Sequence, residues 1–296
     1  MTTRTRAELT LLATTVVWGG TFTVVKLGME DISPLLLIAV RFTVAAALVI
    51  LVLPRVLAGV TPRQVRRAAL LSFFLFAGFA TQNFGLLITT ASKSAFITGM
   101  MVVFVPILQI GLERRPPRVG NVVGVVIVVA GLWLLTSPDG SDFNQGDALS
   151  LACAAFFGLY IVYLDMLTRE MRPSQVLLLQ TAFTAAYAWI AVLFFETPVW
   201  VLSRQSVVAM LYLTLLATLG TIAVQTRFQK DTTPTRAVLI FSIEPVIASL
   251  IASAALGEQL GTPGIIGGGL ILLGVLLSEL SEQIPWLKSS VAARRA

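Results

Sequence analysis

Histidine is absent from the 296-residue chain, and cysteine occurs once, as Cys153. Without imidazole the usual zinc, haem and general-base chemistry is missing. A single thiol builds neither a disulfide framework nor a thiolate metal cluster, so no metal and no cofactor is expected. Charge is scarce as well: charged residues make up 12% of the chain against 56% hydrophobic, about half the charged share of an average soluble domain. That leaves too little polar surface to coat a soluble globule. No Gly-rich loop ending in Gly-Lys-Ser/Thr occurs, which excludes drive by a P-loop nucleotide site. The longest connectors, about 54 to 67 and 138 to 146, are loop-sized and hold no soluble domain.

What remains is a series of apolar runs, each close to the ~20 residues that a helix needs to cross a hydrocarbon core. Ten such spans are expected, at about 8 to 28, 33 to 53, 68 to 90, 94 to 112, 118 to 137, 147 to 167, 174 to 195, 206 to 226, 236 to 256 and 262 to 281. The first is too long for a signal peptide, lacks a small-residue cleavage site and leads at once into another span. Lys and Arg, which mark cytoplasmic loops, sort to one side: Arg4, Arg6, Arg55, Arg63, Arg66, Arg67, Arg114, Arg115, Arg118, Arg169, Arg172, Arg227, Lys230, Arg236, Lys288, Arg294 and Arg295. Only Lys26, Lys93 and Arg204 fall on the other. Both termini are therefore expected in the cytoplasm. The net charge of +6 is spread over short loops and does not form a nucleic-acid-binding surface; the expected partners are membrane lipid and a small-molecule substrate. The tail from Gln283, with Trp286, is expected at the interface.

The sequence also repeats. A shift of 139 positions aligns Trp18 with Phe157, Gly19 with Gly158, Pro34 with Pro173, Arg41 with Gln180 and Pro106 with Pro245; a shift of 143 aligns Gln82 with Gln225, Gly124 with Gly267 and Gly131 with Gly274. The repeat unit is five spans, residues 8–137 and 147–281. Because five is odd, the second copy enters the membrane from the opposite side. The expected fold is an all-α membrane protein of ten transmembrane helices in two inverted five-helix repeats, an architecture of secondary transporters.

Trp18-Gly19, Pro34 before Arg41-Phe42, the stretch from Ser94 through Gly99 to Pro106, and above all Thr235-Arg236-Ala237 to Glu244-Pro245 and Gly257-Glu258 resemble the EamA-type branch of the drug/metabolite transporter superfamily. The resemblance covers nearly the whole chain. It implies a ten-helix carrier in the inner membrane that exports an amino acid, another metabolite or a drug-like compound, with a central cavity formed by spans 1 to 4 and 6 to 9. The first half departs from the pattern, with Val105 in place of the glutamate before its proline.

Ionisable groups deep in a membrane are costly and mark functional candidates. Arg41 and Glu244 each lie roughly 12 Å inside a span at 1.5 Å rise per residue. Glu244 is a candidate to bind an amino group or carry a coupling proton, and Arg41 to hold a carboxylate or pair with Glu244; both also suit plain helix-to-helix ties. Trp18 near the midplane, with Tyr160 and Tyr163 in the other half, suggests an aromatic wall. Gln82, Asn83 and Gln225 suggest a polar path, and Met101 a tolerant apolar wall; interhelical hydrogen bonding and packing are the competing roles. Asp165 and Arg169, one turn apart, read as an interfacial ion pair, and Lys26 and Lys93 as snorkelling residues. Trp133, Trp189 and Trp200 fit an interfacial belt. Pro106 and Pro245 are candidate hinges. The glycines of spans 5 and 10 allow close helix approach, for an internal contact or a homodimer. A channel-like facilitator is the nearest alternative, with a membrane-embedded enzyme or receptor further away.

Overall fold

Small polar residues and prolines start most helices of the chain. In the computed structural model, which describes residues 2–114, 119–135, 143–258 and 261–281, Thr2, Thr61, Thr90, Asn144, Ser203 and Thr233 each accept a backbone N–H of the first helical turn. Pro34, Pro62, Pro173 and Pro234 occupy first-turn positions, where a missing N–H costs nothing. The helices are α1 (Thr3–Gly28), α2 (Pro34–Val52), α3 (Pro62–Leu86), α4 (Ala91–Gly99), α5 (Met101–Glu113), α6 (Val119–Leu135), α7 (Gln145–Thr168), α8 (Pro173–Phe195), α9 (Arg204–Leu211), α10 (Thr221–Phe228), α11 (Pro234–Phe241), α12 (Glu244–Leu256) and α13 (Thr262–Ser281). A π-helical stretch, Tyr212–Gly220, joins α9 to α10 in one rod.

Among the described residues eight rods are long and apolar enough to cross a membrane, counting α4 with α5, α9 with α10, and α11 with α12 as single rods; α6 and α13 contribute two shorter apolar helices. The third rod starts at Pro62, earlier than the apolar run suggests, because the Thr61/Gln64 capping box begins the helix ahead of the hydrocarbon. The tail with Trp286 lies outside the described residues.

Element bounds repeat at the two shifts seen in the sequence. Pro34 and Pro173 open α2 and α8, 139 apart, whereas Met101 and Glu244 open α5 and α12, 143 apart. This corrects the alignment of the fourth and ninth rods. Glu244 corresponds to Met101 and not to Val105, and Pro245 corresponds to Val102 and not to Pro106. Helix contacts come in exchanged pairs: α1 packs on α12 as α7 does on α5, and α4 packs on α12 as α11 does on α5.

The prolines are also placed differently from the expected pair of kinks. Pro245 sits in the first turn of α12, just after the interruption at Ser242–Ile243, and the matching interruption at Met100 has no proline at all. Both interruptions are tightened turns, closed by Ile243 N–H to Ile240 O at 3.2 Å and Met100 N–H to Ile97 O at 3.1 Å. Pro106 lies inside α5.

The glycine faces of α6 and α13 meet each other. A Cβ on Gly131 would lie 2.7 Å from Gly267 O, and one on Gly274 2.9 Å from Gly124 O, so these backbones approach as only glycine allows. Of the internal contact and the homodimer that the sequence left open for these stripes, the structure shows the first.

Candidate functional site

Between the two sets of helices lies a cavity of about 540 Å³ of empty space, its mouth included. Six rods each supply a pair of lining residues one turn apart: Trp18 and Thr21 from α1, Phe79 and Gln82 from α3, Thr98 and Met101 across the α4–α5 interruption, Phe157 and Tyr160 from α7, Ile222 and Gln225 from α10, and Phe241 and Glu244 across the α11–α12 interruption. Residues three apart share a helix face, so each rod turns one short patch inward. The patches are repeat partners without exception. Trp18 and Thr21 match Phe157 and Tyr160 at a shift of 139, Phe79 and Gln82 match Ile222 and Gln225 at 143, and Thr98 and Met101 match Phe241 and Glu244 at 143. Leu75 and Ile161 complete the wall.

Two aromatic wall residues are held from behind. The Trp18 indole donates to Ala217 O at 3.2 Å, in the π-helical stretch, and packs edge-on against Phe241 at 5.2 Å. Tyr212 at the start of that stretch donates back to Val17 O at 2.7 Å. Gly19, next to Trp18, lets α12 come close: a Cβ there would lie 2.5 Å from Ile247. Gly78 does the same for the Phe157 ring, which would meet a Cβ at 2.4 Å.

The two conserved-in-type amides of the repeat behave differently. Gln225 donates to Gln229 Oε1 at 2.8 Å, and Gln229 to Ile161 O at 2.8 Å. Tyr160 Oη donates to Gln180 Oε1 at 3.1 Å with Gln225 Oε1 alongside at 3.4 Å, and Gln180 donates to Thr226 Oγ1 at 2.7 Å. Gln82 makes no hydrogen bond among the described residues and is free to meet a solute. Glu244 likewise faces the cavity without a hydrogen bond or ion pair among them. Nearby, Thr98 Oγ1 donates to Cys153 Sγ at 3.8 Å.

Of the residues singled out from the sequence, Trp18, Gln82, Met101, Tyr160, Gln225 and Glu244 line the cavity together. Three do not. Asn83 turns away and donates to Pro34 O at 3.0 Å. Tyr163 lies beside Arg67, accepting from its Nε at 3.2 Å, where Arg67 also pairs with Glu170. Arg41 does not pair with Glu244; its guanidinium lies 4.1 Å from the centre of the Phe79 ring. Phe79 and Phe241 were missed in the sequence, although each stands one turn before a residue that was found; pairing every candidate amide or acid with the apolar residue three positions earlier would have revealed them.

Both ends of the bundle are tied across the halves. At the arginine-poor end, Glu196 accepts from the Leu35 and Leu36 N–H groups at 3.0 and 2.9 Å, Glu258 from those of Ala91 and Ser92 at 3.0 and 3.1 Å, and Ser203 hydrogen-bonds Asp31. Lys93 pairs with buried Asp147 at 2.6 Å and Lys26 donates to Thr89 O at 2.9 Å, so both lysines are engaged and do not simply snorkel. At the arginine-rich end Glu8 accepts from Arg236 at 2.7 Å, and Asp165 pairs with Arg169 at 3.0 Å as the sequence suggested. No group of three or more His, Cys, Asp or Glu able to hold a metal forms among the described residues.

The model of the EamA-like transporter family matches twice, at residues 5–137 and 144–280. An "Uncharacterized transporter" of Archaeoglobus fulgidus is 32% identical over 94% of this chain and 87% of its own length. The "Uncharacterized inner membrane transporter YedA" of Escherichia coli is 26% identical over 95% of this chain and 93% of its own. A solved crystal structure shares the fold with a TM-score of 0.77 at 20% identity, covering 94% of this chain and 97% of that one. With both halves matched and the relatives spanned nearly end to end, the chain is a multi-pass membrane protein that belongs to the EamA-like transporter family.

Proposed function

We infer that the protein is a secondary carrier that exports a small metabolite, such as an amino acid or related organic solute, or a drug-like compound, across the cytoplasmic membrane by alternating access. The observation that carries the reading is the cavity wall, built from three repeat-related sets of residue pairs. A site on the axis between two like halves stays in place while the halves exchange roles around it. In this reading all ten rods cross the bilayer, the repeats are inverted, and the arginine-rich end with both termini faces the cytoplasm. Trp18, Tyr160 and Met101 form the wall of the substrate site, Gln82 and Gln225 its polar contacts, and Glu244 takes an amino group or a coupling proton. Tyr163 and Arg67 guard the cytoplasmic mouth, and the interruptions beside Pro245 and before Pro106 flex. Lipid covers the outward aliphatic faces. A homodimer through α6 and α13 would use those outer faces, where Val126 and Ile265 are exposed, and cysteines placed there would cross-link between copies in native membranes.

Reconstitution into proteoliposomes tests the carrier. Uptake should saturate and be stimulated by solute on the opposite side; non-saturating, electrically measurable flux would show a channel. Uptake driven by a pH gradient should be lost in Glu244→Gln while exchange persists, and full coupling in that variant would remove Glu244 from the proton path.

A further inference from the structure

Among the described residues two arginines are buried inside the helices, and one of them meets a carboxylate while the other does not. Arg236, 3% exposed, pairs with Glu8. Arg41, 1% exposed, meets no carboxylate: its Nε and Nη2 have no hydrogen-bond partner, and its guanidinium lies against the rings of Phe79 at 4.1 Å and Phe42 at 5.2 Å. A guanidinium withdrawn from water with its donors unmet is among the costliest arrangements in a membrane protein, and contact with aromatic faces returns only part of that cost. Glu244, the carboxylate of the cavity, makes no ion pair with it. Asn83, one turn beyond Phe79 on α3, is fully buried with its Oδ1 unpartnered.

The second half shows what a satisfied version of this position looks like. Gln180, the repeat counterpart of Arg41, is also fully buried, but both ends of its amide are engaged, by Tyr160 and Thr226. Arg41 differs in being stronger as a donor and in having nothing to donate to. Phe79 links it to the cavity: its ring lines the cavity, rests edge-on against Phe157 at 5.1 Å, and lies face-on to the guanidinium.

We propose that Arg41 is a carboxylate-binding group of the transport site, screened from the cavity by the Phe79 ring, which swings aside to let the carboxylate of the solute reach the guanidinium fork. The planar fork matches a carboxylate in two parallel hydrogen bonds. A dianionic phosphate fits less well, because a single guanidinium would face it and the other ionisable group of the cavity, Glu244, is acidic. The proposal rests on the transport reading for its biological meaning, while the binding it predicts is measured separately.

The test uses the purified protein in nanodiscs and three acid/amide pairs as probes: phenylacetate and phenylacetamide, 4-methylvalerate and 4-methylvaleramide, leucine and leucinamide. Binding is read by thermal shift and by tryptophan fluorescence, since Trp18 lines the cavity. At least one acid should bind about tenfold or more tightly than its amide. Arg41→Gln, which installs the residue of the other half, should erase that preference, Arg41→Lys should retain part of it, and Phe79→Ala should keep it while speeding association. No acid preference in the wild type, or a preference that survives Arg41→Gln, overturns the proposal. Should Arg41→Gln fail to fold, Phe79→Ala decides, an unchanged association rate counting against the screen. Saturable counterflow with no dependence on Arg41 would leave the carrier and remove the subsite. Arg41-dependent binding without flux would do the reverse.

Discussion

Gln82 and Gln225 are the one identical pair among the repeat-related residues of the cavity wall, yet their surroundings give them different duties. Gln225 is bound into a chain that runs through Gln229 to the backbone of α7, so Gln225→Leu strands buried partners and should cost about 1–3 kcal/mol of stability. Gln82 has no such commitments. Gln82→Leu should leave the melting temperature of the purified protein nearly unchanged and raise the KM of transport. If both variants lost stability equally, the difference in bonding would not be real. Lys93 offers a second residue-scale test. It neutralises Asp147, whose side chain is fully enclosed and also accepts from Thr89 at 2.8 Å. Lys93→Met leaves a buried carboxylate unpaired and should destabilise the protein by roughly 3 kcal/mol, whereas Lys93→Met with Asp147→Asn should recover much of the loss in the same unfolding assay.

At the scale of elements, the chain uses glycine to bring helices together and interrupted rods to shape the site. The contact of α6 with α13 depends on backbone-to-backbone approach, because a Cβ on Gly131 would lie 2.7 Å from Gly267 O and 2.8 Å from Ile271 N. Gly131→Ala must push the two helices apart and should cost roughly 1–3 kcal/mol. Gly269→Ala, in the same helix pair but with open space around its Cβ, should be neutral, so equal effects of the two would refute the close contact. The interruptions at Met100 and Ser242–Ile243 place Thr98 with Met101, and Phe241 with Glu244, on either side of a tightened turn. Pro245 lies in the first turn of α12, where the N–H that its ring lacks would have no helical partner. Pro245→Ala should accordingly lower the transport rate more than the stability, read as turnover against melting temperature.

The whole molecule is two like sets of helices joined at both ends by polar contacts, with the cavity between them. In the proposed alternating-access cycle, opening the arginine-poor end would require Asp31 to leave Ser203, Glu196 to leave α2 and Glu258 to leave α4. Cysteines at Asp31 and Ser203, in a background with Cys153→Ala to remove the native thiol, should form a disulfide on oxidation. That bridge should abolish transport in proteoliposomes, and reduction should restore it. Transport unaffected by the closed bridge would contradict movement of this end.

The amino-acid sequence alone indicated that the chain is membrane-embedded, that its two halves repeat, and that Trp18, Arg41 and Glu244 lie deep in their spans. Those follow from run length, repeat spacing and distance along each helix, all local properties. Which side of each rod faces the cavity was decided only by tertiary structure. In lipid both faces of a helix are apolar, so the contrast that reveals a buried face in water is lost. Hence Asn83 and Tyr163 read as well as Gln82 and Tyr160 in the sequence yet point elsewhere, and Phe79 gave no signal of its own. The fate of Arg41 is the plainest case: its depth was legible, but only the packing of α2 on α3 places its guanidinium behind a phenylalanine and away from Glu244.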